Sequence, residues 1–305
     1  MRRQVLGLAV VAWAGFGWAS VAAAQAPGGA VMAGGRQGGV PPIDVEWNDA
    51  LPAGTADHAA RALKESPRHG EWVDIKLSDG SVLNSWVVYP ERPTKSGVVL
   101  VIHDINGMRD IPRAVGDQLA QDGFIAIVPD FLSGKGPNGG GSASLGTGVG
   151  QAIRTLTPDE VNARLNAAME YGKKLPASNG KVGVVGFCWG GARSFGYAAA
   201  QPGLNAAVVF YGEAPGTADG TVETQLANLK APVLGLYAGN DARINETIPA
   251  TQAAMTKLGK SYAVNSFEGA GHGFMGNHAG AGGANLKASL AAWPMVVEFY
   301  RKHLN

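Results

Sequence analysis

Residues 181–191, KVGVVGFCWGG, form a short apolar run that ends in a glycine-flanked cysteine. Residues 182–185 have the near-continuous apolar character of a strand covered on both faces. Residues 192–200, behind the double glycine, are small residues suited to a helix. The segment from Gly186 to Gly190 then reads as a sharp strand-to-helix turn with the thiol of Cys188 at its tip. Such a turn requires glycine two residues to either side, because the strand and helix backbones nearly touch there. The pattern is a nucleophile elbow with Cys in place of Ser.

On both sides of the elbow, strands and helices alternate. Residues 97–103, 124–128, 206–211, 233–237 and 262–267 read as further buried strands, which predicts an α/β fold with a mostly parallel central sheet covered by helices on both faces. Residues 72–77 and 82–89 flank Ser78, Asp79 and Gly80 and predict an antiparallel hairpin at a sheet edge. Asp110 is placed to cap a helix over about 111–122, stopped by Gly123. Thr157, Pro158, Asp159 and Glu160 spell a capping box with proline at the first helical position, opening a helix to about Leu175. The last helix runs to about His303, with Pro294 either its start or a kink. Residues 139–150 read as a low-complexity loop whose Gly146, Gly148 and Gly150 lack the spacing of a nucleotide-binding fingerprint.

The chain's ends and composition bound what it can be. Arg2 and Arg3 precede an uncharged run over 5–21 that closes on Ala22, Ala23 and Ala24, the form of a secretory signal covering residues 1–24. An uncleaved anchor is the alternative; the Ala- and Gly-rich run ending in Ala-x-Ala favours cleavage, and so no stable membrane insertion afterwards. The paired arginines leave the export route open between the general secretory and twin-arginine systems. Residues 25–70 form a Gly- and Pro-rich extension with a short helical stretch near 56–63, and residues 71–305 form the α/β domain. Without the signal, 23 basic residues face 24 acidic ones, so there is no electrostatic case for nucleic acid or anionic lipid. The expected product is an exported, periplasmic or secreted monomer. Its one cysteine, in an oxidising compartment, cannot be an internal staple: it is either an inert buried thiol or a retained reactive group.

The elbow favours the reactive reading. A thiol near its free pKa of about 8.5 needs a base within hydrogen-bond reach. In the chain order nucleophile, acid, histidine, the next strand ends at Asp241 and the one after leads into Gly271, His272 and Gly273. Both loops would open on the same sheet edge as Cys188, giving a Cys188, His272, Asp241 triad. Backbone N–H groups of Trp189 and of Ile105, in the loop 103–107, are expected to form the oxyanion hole. Asp104 brings an auxiliary carboxylate to the same loop. Phe187, Tyr211 and Phe274, with Trp189, either line an apolar pocket or pack the core. No metal or cofactor is called for.

These segments together resemble the dienelactone hydrolase family of the α/β-hydrolase fold, over roughly Glu71 to Leu304. The matching pieces are 97–107, 123–132 (GFIAIVPDFL), 181–191, 208–212 (VVFYG), 232–241 and 269–274. The resemblance implies one compact domain, a Cys, His, Asp triad and hydrolysis of an ester or lactone such as carboxymethylenebutenolide. It also marks two departures. The family's carboxylate beside the cysteine is Glu, where this chain has Asp104, and the arginine that holds the substrate carboxylate four residues after the histidine is here Gly276. Both point away from dienelactone itself, with Arg243 a substitute anion clamp or a solvated loop residue. The cysteine box is also similar to that of polyhydroxyalkanoate synthases, acyltransferases with much longer chains. A ligand-binding relative without catalysis is a further alternative, against which the complete Cys, Asp, His set argues.

Overall fold

The computed structural model describes residues 43–305. The expected signal over 1–24 and the first part of the extension lie outside the described residues. Among the described residues no helix is long and apolar enough to cross a membrane. The chain opens with helix α1 (Ala56–Glu65), then forms β1 (Gly70–Lys76), β2 (Val82–Val88), β3 (Ser96–Ile102), α2 (Asp110–Gln121) and β4 (Ile125–Pro129). Short helices α3 (Ser142–Leu145) and α4 (Val149–Thr155) follow, then α5 (Pro158–Lys174), β5 (Ser178–Phe187), α6 (Trp189–Ala200) and β6 (Ala206–Phe210). The last part holds α7 (Val222–Leu226), β7 (Val233–Ala238), α8 (Ala242–Asn245), α9 (Ile248–Lys257), β8 (Tyr262–Phe267) and α10 (Ala284–Leu304).

The eight strands lie in the order β1-β2-β4-β3-β5-β6-β7-β8, and β3 to β8 run parallel. The edge hairpin pairs antiparallel to itself and to β4, through a turn in which Gly80 takes a φ of 83°. Every residue of β3, β4, β6 and β7 is buried. Period-two alternation sorts them between two cores: Val98, Leu100 and Ile102 face one layer, Val99 and Val101 the other. Truncating such a residue, Leu100→Ala for example, costs about 2–5 kcal/mol. The expected strands and the mostly parallel sheet are therefore present, with ends shifted by a few residues at most; β8, expected as a buried strand, instead closes the sheet edge with no residue buried.

Of four local expectations one is met and three need correction or completion. The capping box is formed, Thr157 Oγ1 accepting from Glu160 N at 3.2 Å and Glu160 Oε2 accepting from Thr157 N at 2.9 Å. Asp110 does not cap α2: Arg109 occupies the cap position without a side-chain capping bond, and Asp110 pairs with Arg113 at 3.0 Å. Residues 139–150 are not a plain loop. Asp130, at the end of β4, accepts from Ser142 N at 2.7 Å and Ser142 Oγ at 2.6 Å, which pins the start of α3 against the sheet edge. Pro294 lies inside α10 at an exposed position and is not its start. The described part of the extension packs through α1 on α2, burying Ala53 and Ala59 against Ala114.

Candidate active site

At the end of β5 the backbone makes the turn that the glycines foreshadow. Cys188 sits at φ 58°, ψ −116°, a conformation that L-residues rarely adopt, and α6 starts at the next residue. A Cβ on Gly186 would overlap the backbone of Gly190, and one on Gly190 would overlap the carbonyls of Ile102 and His103. The strain is held from both sides: Cys188 N donates to Phe210 O at 3.1 Å, and Cys188 O accepts from Ala192 N at 3.1 Å. Packing thus fixes the cysteine at the sheet's carboxyl edge, half-buried and free of disulfide.

The next two loops are stitched to each other. Beyond β7, Gly239 N donates to Phe267 O at 2.8 Å and Asn240 N to Ala270 O at 2.9 Å, while Asn240 Nδ2 donates to Gly269 O at 3.1 Å. Asp241, buried, is thereby held opposite His272, whose Nδ1 meets Asp241 Oδ2 at 2.5 Å. Burial pulls the His272 pKa down. Its hydrogen bonds to Asp241 and to the Cys188 side chain outweigh that pull and lift it to about 9. Cys188, His272 and Asp241 therefore form one connected chain.

The remaining predicted residues distribute around this chain. Trp189 is the first residue of α6, so no carbonyl within the helix accepts its N–H. Ile105 stands in the β3 loop that brings Asp104 to the same edge. Asp104 is not a bare carboxylate: it accepts from Arg109 Nη2 at 2.6 Å and from Asn106 N at 2.8 Å. Tyr211, at φ 40°, lies fully buried with its ring 5.0 Å from that of His272. Burial first, then the nearby charges of Cys188 and Asp104, push its phenol well above the ordinary range, so it stays neutral. Phe187 stacks on Phe210 at 4.9 Å and Phe274 packs against Tyr211 at 5.3 Å, both within the core layer beneath the site. Arg243 is exposed on α8 and joins no hydrogen bond or ion pair among the described residues. A side chain at Gly276 would point into open space.

His103 is buried beside the site, and its Nε2 accepts from Phe131 N at 3.4 Å, which requires the proton on Nδ1 facing the Asp104 carbonyl at 2.9 Å. Burial holds its pKa below the usual histidine value, so it is a neutral structural brace for the β3 loop. Two participants carried no sequence signal. Arg109 is separated from Asp104 by an unremarkable loop, and Asn285 sits in a Gly- and Ala-rich stretch far from any motif. Asn285, fully buried, accepts from Gly271 N at 2.9 Å and donates to Asn277 O at 2.8 Å, clasping the histidine loop at both ends. Among the described residues no three His, Cys, Asp or Glu converge as a metal site.

An open, mostly parallel sheet with a strained elbow on a central strand, and Asp and His on the next two carboxyl-end loops, defines an α/β-hydrolase. Within that class the chain belongs to the dienelactone hydrolase family, whose model matches residues 83–304. A candidate carboxymethylenebutenolidase of Methylorubrum extorquens is 29% identical over 241 residues, covering 76% of this chain and 80% of that protein. A mouse carboxymethylenebutenolidase homolog is 31% identical over 189 residues, covering 60% of this chain and 73% of its own. The crystal structure of dienelactone hydrolase from Anabaena variabilis shares the fold with a TM-score of 0.58 at 22% identity, over 78% of this chain and 99% of that one.

Proposed function

We propose that this hydrolase cleaves carboxylic esters or lactones by acyl transfer to Cys188, and that it does so after export directed by residues 1–24. The observation that carries the reading is the connected chain Asp241, His272, Cys188 on a strained elbow. Asp241 fixes the proton on His272 Nδ1 and steadies the imidazolium. His272 takes the thiol proton, and the thiolate attacks the carbonyl carbon. The oxyanion that forms is met by the N–H groups of Trp189 and Ile105. Collapse of the adduct breaks the C–O bond, the alkoxide leaves with the proton from His272, and Cys188 is left as a thioester. Water, deprotonated by the same imidazole, attacks the thioester, releasing the acid and restoring the thiol.

With Gly276 in place of an arginine and Arg243 exposed, the expected substrates are neutral esters rather than the dienelactone carboxylate. The test is hydrolysis of a p-nitrophenyl ester series and of dienelactone by the mature protein beside Cys188→Ala and Cys188→Ser. A loss on the order of a hundredfold or more in Cys188→Ala supports the thiol mechanism. Wild-type rates in Cys188→Ala refute it. Absence of turnover together with slow, ordinary iodoacetamide alkylation of Cys188 would favour a ligand-binding role. The mass of the N-terminus in a periplasmic fraction tests cleavage after Ala24.

A further inference from the structure

Along the carboxyl edge of the sheet, β3 and β4 separate the elbow on β5 from the edge hairpin. Because β2 runs antiparallel to β4, with Ser85 opposite Pro129, the turn end of the hairpin lies on this same edge. A cleft of about 730 Å³ opens there, within the range of small-molecule pockets, about 300–1,000 Å³. One of its walls is Met108 and Arg109, from the loop that also carries Asp104 and Ile105. The cleft therefore shares a loop with the proposed oxyanion donor, although Ile105 and Cys188 are not among its lining residues.

The floor is an aromatic platform. Cross-strand pairing puts Trp72 opposite Trp86 and Asp74 opposite Asn84 on one hairpin face. Trp72 is 45% exposed, unusual for an indole, yet held in place by the edge of Trp86 at 5.5 Å and by the Arg113 guanidinium at 5.3 Å. Beside it Asn84 Nδ2 donates to Asp74 Oδ1 at 3.0 Å, leaving the other carboxylate oxygen and the amide oxygen as acceptors. The facing wall at Gly139, Gly140 and Gly141 has no side chains and admits close approach.

Charge excludes the ionic ligands. Both guanidiniums of the cleft are engaged by carboxylates, Arg109 by Asp104 and Arg113 by Asp110. Asp130 spends both oxygens on Ser142 and the Leu132 N–H. An anion meets no uncompensated cation, and a cation meets no converging set of open carboxylates. What remains is a neutral ligand with an apolar face for Trp72 and an edge of donors for the open oxygens of Asp74 and Asn84, which the hydroxyls of a pyranose ring supply. We infer that the cleft is a subsite for a neutral saccharide, and that the substrate is an ester carried on a sugar hydroxyl. The second clause rests on the hydrolase reading above: the Cys188 thiolate takes the acyl group, the acyl C–O bond breaks, the sugar alkoxide leaves with its proton from His272, and water then releases the acid from the thioester.

The subsite is tested without turnover in the full-length mature Cys188→Ala protein, by saturation-transfer NMR titration with xylobiose, cellobiose and maltose. At least one disaccharide binds, Trp72→Ala weakens it tenfold or more, and Trp72→Tyr, which keeps a platform, holds the affinity within threefold. Circular dichroism of both variants controls for folding. No binding by any of the three, or binding indifferent to Trp72→Ala, overturns the subsite. In the active protein, kcat/KM on acetylated xylobiose falls at least tenfold further than that on p-nitrophenyl acetate when Trp72 becomes Ala; an equal fall in both overturns the substrate assignment. Disaccharide binding without hydrolysis of either ester would refute the hydrolase reading while leaving the subsite standing, and the reverse result would do the opposite.

Discussion

Asn285 Oδ1 accepts the Gly271 N–H at 2.9 Å, so the first turn of α10 holds the backbone of the residue just before His272. The same side chain donates to Asn277 O at 2.8 Å, and Ser289 Oγ, one turn on, reaches Phe274 O at 3.3 Å. Replacing Asn285 with Ala orphans the buried Gly271 N–H, costing about 1–3 kcal/mol, while the Asn277 carbonyl, on an exposed residue, can turn to water. Urea denaturation of Asn285→Ala is expected to show a loss of about 1–3 kcal/mol on the same basis. Because the loop it frees carries the imidazole, kcat should fall by about tenfold or more with KM little changed. A KM effect with kcat intact would place Asn285 in substrate binding instead.

The pairing of Asp241 with His272 sets a pH dependence. At a pKa of about 9, His272 holds at neutral pH the proton that it gives to the leaving alkoxide. The alkaline limb of kcat/KM for ester hydrolysis should then fall near pH 9. Asp241→Asn removes the carboxylate whose hydrogen bond raises that value, so the limb should move to lower pH and kcat should drop. An alkaline limb that stays in place in Asp241→Asn would mean that another group titrates there.

The elbow and the Asp241 loop were legible because each follows a buried apolar strand, β5 and β7. His272 lies in a glycine-rich loop past β8, an edge strand with no buried residue, and was legible from the chain order nucleophile, acid, histidine. What supports those loops was not legible. Asn285, Arg109 and Ser142 act across 14, 5 and 12 residues of chain through single hydrogen bonds, and no local periodicity encodes a contact of that kind. The Ser142 case also explains why residues 139–150 resist a reading as a loop, since glycine-rich composition says nothing of a carboxylate waiting at the end of β4. Trp72 and Asn84 likewise read as ordinary hairpin residues until the register sets them beside each other.

The described part of the extension is packed on the domain, and one ion pair measures how firmly. Arg68, just before β1, holds buried Asp117 of α2 through both its Nε and Nη2, with Ser66 Oγ on the same carboxylate. Removing one partner of a buried pair costs about 3–5 kcal/mol; the remaining Ser66 bond places Arg68→Met at the low end, about 3 kcal/mol. Chemical denaturation of the full chain checks this, and a loss below about 1 kcal/mol, the value of an exposed pair, would show that the pair is open to solvent.

His278 supplies the opposite sign of pH response from His272. Its ring is buried against Gly54, its Nε2 has no hydrogen-bond partner, and burial, with His58 nearby, pushes its pKa down to about 4. The unfolded chain takes up this proton near pH 6.5, the folded chain only near 4. Stability contributed by the neutral ring is thus complete above about pH 6.5 and declines as pH falls toward 4, by at most about 3 kcal/mol. His272, raised to about 9, contributes stability that is complete below about pH 6.5 and is lost as pH rises through 9. Between them the two histidines favour a stability maximum near pH 6.5. His278→Gln, which cannot titrate, should flatten the fall between pH 6.5 and 4 relative to the wild type while leaving the alkaline side unchanged. Equal slopes on the acid side would show that His278 gains a proton-compensating partner or solvent as it titrates, and that carboxylates alone govern acid unfolding.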